Sequence, residues 1–220
     1  MNAEVAVRPG VIGRVRSRQS GLPSGLLGRI FGRAIVSDTA DANDRALAVL
    51  ALDRPSTVLE IGFGQGRTAA VLLDHGHLVL GIDASQTMVK QAIARNRAAC
   101  RNGRATLRHG DGITIPFPDN SADVAFTVHT VYFMAEPAAT FADVARVVRP
   151  GGSLVIACRT SDTPIPTWMD PDVYRIPTAA HLTAMLLDAG YDTVDHGTSN
   201  SSDPDLHLFA AHLANGSVSS

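Results

Sequence analysis

Glu60, Asp83 and Asp111 are the side chains best placed for chemistry in the first half of the chain, each ending a short run with strand character. Between the first two acids lie Gly62, Gly64 and Gly66 on alternate positions, followed by Arg67–Leu73 with helical patterning. Glycines in a strand-to-helix turn let the backbone turn tightly and let a ligand come within van der Waals range of it. The free N–H groups of the helix N-terminus face the same space. In an open α/β sheet a ligand lies beyond the carboxyl ends of the strands. Acids at three such ends favour a cation in that crevice. A pyrophosphate would instead gain from the helix N-terminus and be repelled by the carboxylates. Asp83 follows Gly66 by seventeen residues, close to the offset of an acid that accepts both hydroxyls of a ribose. The dinucleotide fingerprint G-x-G-x-x-G is not met, because Arg67 occupies its third glycine position and Gly66 comes one residue early.

A second group follows the fourth strand: His129, Thr130, Val131, Tyr132 and Phe133. His129 and Tyr132 are the candidates for catalysis. An ordinary pKa near neutrality suits a histidine to take a proton; the other reading of His129 is as a lining of the cofactor pocket through its backbone. Trp168, Met169 and Tyr174 fall in a Pro-rich insertion, Arg159–Pro177. With Phe133 they offer an apolar wall for a small molecule, or they pin a long loop. His181 reads as a surface or capping histidine.

The elements that must carry these residues alternate strand and helix. Strands are predicted at Thr57–Ile61, His77–Asp83, Ala105–Asp111, Ala122–Val128 and Ser153–Cys158. Helices are predicted at Ala42–Leu50, from Arg67 to near Gly76, from a Ser85 cap toward Arg97, and at Ala138–Val148. A last helix, Thr178–Ala189, ends at Gly190 and precedes strands Tyr191–Asp195 and Leu206–Leu213 with no helix between them. Alternation of this kind implies a doubly wound, Rossmann-like α/β sheet with helices on both faces. The final pair should form a hairpin and make the edge antiparallel. Upstream, residues 1–40 divide into an arm rich in Arg, Gly and Ser and an amphipathic stretch, Leu22–Val36. That stretch is expected to be a cap helix over the domain or its cleft, with a membrane surface as the alternative. Residues 41–213 then form one domain, with 159–177 as a substrate lid and 214–220 as a disordered tail.

A length of 220 residues suits one domain with an appendage, and 45% apolar with 18% charged residues is ordinary for a globular protein. A net charge of −2 gives no electrostatic footprint for nucleic acid, so none is expected as a partner. Cys100 and Cys158 show neither CxxC spacing nor a histidine cluster, and read as reduced packing residues of a cytoplasmic protein. No apolar run approaches the length of a membrane span, and no signal-peptide pattern follows the basic first residues.

Glu60 followed by Gly62, Gly64 and Gly66 resembles the first motif of the class I S-adenosylmethionine-dependent methyltransferases, of the methyltransferase domain 11 kind. Gly81-Ile82-Asp83-Ala84-Ser85 is similar to their second motif and His109-Gly110-Asp111-Gly112 to their third, followed by the run Ile115–Asp123. Arg146–Gly152 is similar to the turn before their fifth strand. The resemblance implies a sheet of order 3-2-1-4-5-7-6 with the seventh strand antiparallel, and S-adenosylmethionine as cofactor. Gly62, Gly64 and Gly66 would admit its methionine part and Glu60 would anchor its ammonium. Asp83 and Ala84 would serve the ribose, and Asp111 with the Gly112 amide would read the adenine. His129 also adjoins the cofactor. Related enzymes often carry a His-aromatic pair where this chain has Tyr132-Phe133, a departure that shifts the histidine to His129. The implied activity is methyl transfer by in-line displacement to an O, N or C atom of a small, apolar or aromatic molecule of secondary metabolism. No metal constellation follows strand four, so no metal is expected. A homodimer is left open. The competing readings are a nicotinamide-dependent oxidoreductase, which lacks a Tyr-x-x-x-Lys pair here, and a non-catalytic protein that binds S-adenosylmethionine.

Overall fold

Seven strands form one mixed sheet in the computed structural model, which describes residues 41–198 and 205–216. The arm, the Leu22–Val36 stretch and residues 217–220 of the tail lie outside the described residues. Helix α1 covers residues 41–50, and strand β1 (Thr57–Ile61) follows. Then come α2 (Arg67–Asp74), β2 (Leu78–Asp83), α3 (Gln86–Arg95), α4 (Arg97–Arg101), β3 (Ala105–His109) and β4 (Ala122–Val128). The chain continues through α5 (Pro137–Val147), β5 (Val148–Cys158), α6 (Ala179–Asp188), β6 (Thr193–Thr198) and β7 (His207–His212). The sheet order is β3-β2-β1-β4-β5-β7-β6. β1 to β5 run parallel, and β7 is antiparallel to both β5 and β6. Fold class and strand order are those expected from the sequence.

Alternation along β1 builds the two cores. Val58 packs with Ala42 and Ala46 of α1 and Ala69 and Leu72 of α2 on one face. Leu59 and Ile61 pack with Phe141 and Val144 of α5 and Leu182 and Leu186 of α6 on the other. Successive side chains of a strand point to opposite faces, so β1 and its neighbour β4 are sealed from water on both sides. Their carboxyl ends are thereby fixed firmly where the strand order reverses.

Three of the boundaries that differ from the sequence reading do so through a local interaction. β5 begins at Val148, five residues before Ser153, because Val148 pairs with Ala122 before the register shifts. A Cβ at Gly152 would lie 2.4 Å from the Asp123 carbonyl, so the turn lies flat against β4 as a bulge. The helix after Ser85 breaks at Asn96, whose amide donates to the Ala92 and Gly66 carbonyls at 3.0 and 2.9 Å. β6 starts at Thr193 because Tyr191 is buried and its N–H bonds to the Leu186 carbonyl at the end of α6. Ser85 does cap α3, accepting from the Met88 N–H. His181 is exposed in the first turn of α6, where its N–H bonds to Thr178 Oγ1 at 3.1 Å.

The insertion 159–177 is irregular but tied at both ends. Ser161 N–H donates to the Pro177 carbonyl at 2.9 Å, and the Asp162 carboxylate accepts the Ala179 N–H at 2.6 Å. Arg175 fastens it to the turn after β4, donating to the Tyr132 carbonyl from its N–H and to the Met134 carbonyl from its guanidinium. Among the described residues no helix is long and apolar enough to cross a membrane.

Candidate active site

β1 delivers Glu60 to the floor of the crevice, with 4% of its surface exposed and its Oε2 without a hydrogen-bond partner among the described residues. Burial, reinforced by the nearby Asp83 charge, pushes its carboxyl well above the ordinary range. Asp83, at the end of β2, is pushed up to about 6 by the same loss of water, partly offset by hydrogen bonds. Its Oδ2 accepts the Gly64 N–H at 2.8 Å and its Oδ1 the Ser85 N–H at 2.7 Å. The acid therefore braces the glycine turn while keeping lone pairs on both oxygens. Two carboxylates crowded in a desolvated place, one with an unmet oxygen, call for a cationic or hydroxyl-rich ligand.

The three glycines divide their work. All have positive φ, at 77° for Gly62, 53° for Gly64 and 69° for Gly66, which only glycine adopts without strain. A Cβ on Gly62 would lie 2.3 Å from Thr130 Oγ1, and one on Gly66 would meet Asn96 and Ala92 at 2.7 and 2.8 Å. Of the three, Gly64 alone meets nothing within 4 Å among the described residues. Gly62 thus lets β4's end close over the turn, Gly66 lets α2 pack on α3, and Gly64 alone presents bare backbone to a ligand. Neither this division nor Thr130's part in it is legible from residue types and spacing alone.

Asp111 stands beyond the end of β3, exposed, with Oδ1 accepting the Ile113 N–H at 2.9 Å and the Thr114 N–H at 3.4 Å. It shapes its own loop, and the Gly112 backbone beside it takes a φ of 82°. Ala84 is exposed at the end of β2, its carbonyl 3.1 Å from His109 Nε2. The run after Asp111 is held by Arg146, whose guanidinium donates to the Ile115 and Phe117 carbonyls at 2.9 Å.

On the β4 side, His129 is half-buried with a φ of 52°, and its N–H bonds to the Ala157 carbonyl at 2.8 Å. Its Nδ1 lies 3.0 Å from the Tyr132 hydroxyl. Tyr132 is 1% exposed, and its hydroxyl also accepts the Arg159 N–H. Tyr132 therefore lies beneath the site surface and links His129 to Arg159, the first residue of the insertion. Phe133, Trp168 and Tyr174 do come together: Tyr174 lies 4.9 Å from Phe133 and 5.8 Å from Trp168, ring centre to ring centre. Tyr174 is buried, while Phe133, Trp168 and Met169 pack half-buried against the same core. Gln65, inside the glycine turn, escaped the sequence reading. It is buried with its amide nitrogen unpartnered among the described residues, and an amide between two glycines carries no pattern that would mark it.

Residues 59–156 match the methyltransferase domain family. The chain is 28% identical over 163 residues to an O-methyltransferase of Pyrenophora dematioidea, covering 68% of this chain and 60% of that one. It is 29% identical over 139 residues to the 27-O-demethylrifamycin SV methyltransferase of Amycolatopsis mediterranei, covering 63% of this chain and 51% of that one. The chain thus spans between half and two thirds of the length of these relatives. A solved S-adenosylmethionine-dependent methyltransferase from Aquifex aeolicus superposes with a TM-score of 0.61 at 22% identity, over 78% of this chain and 89% of that one. The glycine turn, the strand-end acids and the strand order accord with that match, and the chain is similar to the S-adenosylmethionine-dependent methyltransferases over residues 59–156 and in its fold.

Proposed function

We propose that this protein transfers a methyl group from S-adenosylmethionine to an O, N or C atom of a small, apolar or aromatic acceptor. The observation that carries this reading is the desolvated pair Glu60 and Asp83 beside the open backbone of Gly64. S-adenosylmethionine, when bound, supplies an electrophilic methyl on a sulfonium, together with an ammonium and a ribose that suit two carboxylates. Glu60 would hold the ammonium and Asp83 the ribose hydroxyls, with Ala84, Asp111 and the Gly112 amide beside the adenosine. Gly64 would let the methionine part lie against the backbone. His129 closes the β4 side. Phe133, Trp168, Met169 and Tyr174 would seat the acceptor and exclude water, which is most of what alignment of an in-line displacement asks of a protein. S-adenosylhomocysteine release in a panel of phenols, carboxylic acids, amines and indoles tests the reading. Turnover with at least one class is expected, and cofactor binding with no turnover on any class would favour a non-catalytic role.

A further inference from the structure

We infer that Asp143 and Arg146 of α5 are positioning residues, which act through the backbone of Ile115 and Phe117 to hold the Asp111–Gly112 loop in place for the base of the cofactor. The ligand in this inference rests on the methyltransferase reading; the hydrogen bonds do not. An irregular segment has no ladder to take its backbone groups, and each one left unmet in a part-buried place costs free energy. Between β3 and β4, charged side chains take them. Asp111 Oδ1 accepts the N–H groups of Ile113 and Thr114. The next N–H, that of Ile115, goes to Asp143 Oδ2. The Ile115 and Phe117 carbonyls accept from the Arg146 guanidinium at 2.9 Å, and the Pro116 carbonyl accepts from Arg108 of β3. Asp143 and Arg146 stand three residues apart on α5 and pair at 2.7 Å, and Arg146 also reaches Asp119 at 2.7 Å. Part-exposed ion pairs add little by themselves. This one brackets Ile115, holding its N–H with the carboxylate and its carbonyl with the guanidinium.

Both ends of the loop are therefore fixed. At the far end, Phe141, Val144 and Val147 bury α5 in the core, and the Ile115 side chain is 1% exposed. At the near end the chain lies against the strand end that carries Asp83. The Gly110 N–H donates to the Asp83 carbonyl at 3.2 Å, and His109 Nε2 lies 3.1 Å from the Ala84 carbonyl. Residues 111–114, exposed or half-buried, span the gap between these anchors. A binding loop that is ordered before its ligand arrives loses less freedom on binding. Adenine offers an amino group, which a carboxylate accepts, beside a ring nitrogen, which an amide N–H meets. Hypoxanthine reverses that pattern, so discrimination between the two bases reports how well the loop is placed.

Calorimetry with three ligands separates the loop from the rest of the crevice. They are S-adenosylhomocysteine, S-inosylhomocysteine, which has an oxygen in place of the amino group, and S-ribosylhomocysteine, which lacks the base. The wild type should favour the first over the second by about tenfold or more. Arg146→Ala and Asp143→Ala should bring those two within about threefold of each other and leave S-ribosylhomocysteine affinity within about twofold of the wild type. Asp143→Asn keeps an oxygen for the Ile115 N–H and should keep the discrimination. A merely structural role would weaken all three ligands alike, or none; either result would overturn the proposal, as would loss of discrimination in Asp143→Asn. Hydrogen exchange on the ligand-free protein covers variants that fold poorly. Arg146→Lys keeps the charge but not the planar fork, and should speed exchange at residues 113–115 by about tenfold while β1 and β4 are unchanged. Unchanged exchange there would overturn the clamp. Failure of S-adenosylhomocysteine to bind the wild type would instead count against the cofactor reading, with exchange still deciding the clamp.

Discussion

At the scale of residues, Gly62 and Gly64 should respond differently to the same methyl group. Gly62→Ala drives a Cβ to 2.3 Å from Thr130 Oγ1 at a φ of +77°, so left-handed strain and overpacking add to about 2–4 kcal/mol of lost stability. Gly64→Ala meets open space and should cost about 1–2 kcal/mol, the strain alone, while weakening cofactor binding more than Gly62→Ala weakens it per unit of stability lost. Chemical denaturation paired with calorimetry separates the two. Glu60 gives a result of opposite sign. Its pKa is raised, so its stabilising contribution is present below the ordinary carboxylate range and is lost as pH rises through the folded value. Glu60→Gln should therefore stabilise the ligand-free protein at neutral pH by about 1 kcal/mol or more and weaken S-adenosylmethionine binding. Asp83 sets a pH window. With its carboxyl moved from 3.8 to about 6, a proton competes with the ribose hydroxyls, so S-adenosylhomocysteine affinity should rise as pH goes from 5 to 7. Affinity that is flat over that range would contradict the assignment of Asp83.

Elements set how well those residues are held. α6 starts at a Thr178 cap whose hydroxyl accepts the His181 N–H, so Thr178→Ala should cost about 1 kcal/mol in urea melts. Arg175 ties the insertion to the turn after β4, and Arg175→Ala should speed proteolytic cleavage within residues 159–177 with little change in the melting of the sheet. These elements also show what could be read in advance. β4 was legible to the residue, Ala122–Val128, because a strand buried on both faces is a continuous apolar run. The start of β5 was not, because Arg149-Pro150-Gly151-Gly152 has the composition of a turn and only its pairing with β4 makes it a bulge. Tyr132's place under His129 was equally hidden: nothing in their spacing says that a buried hydroxyl bonds both to an imidazole and to the N–H of Arg159.

Across the whole molecule, the sheet brings residues from distant parts of the chain to one edge of the fold. Glu60, Asp83 and Asp111 end or follow β1, β2 and β3, while His129 and Arg159 follow β4 and β5. The acids gather on the side of the reversal that holds β1 to β3, and the arginines on the side of the lid. Alternation of strands with helices made the parallel sheet readable, the missing helix before β7 made the closing hairpin readable, and the strand order came from the resemblance of the motifs. The acceptor was not readable, because the lid's aromatics pack on one another and into the core as well as toward the crevice. What most directly tests the molecule's central feature, a crevice built for a sulfonium amino acid on a ribose, is calorimetry with S-adenosylmethionine, S-adenosylhomocysteine, NAD and NADP on the wild type and Asp83→Ala. One-to-one binding of the first two, weakened by about 1–3 kcal/mol in the variant, is the expected result; binding of the nicotinamide cofactors alone would contradict it.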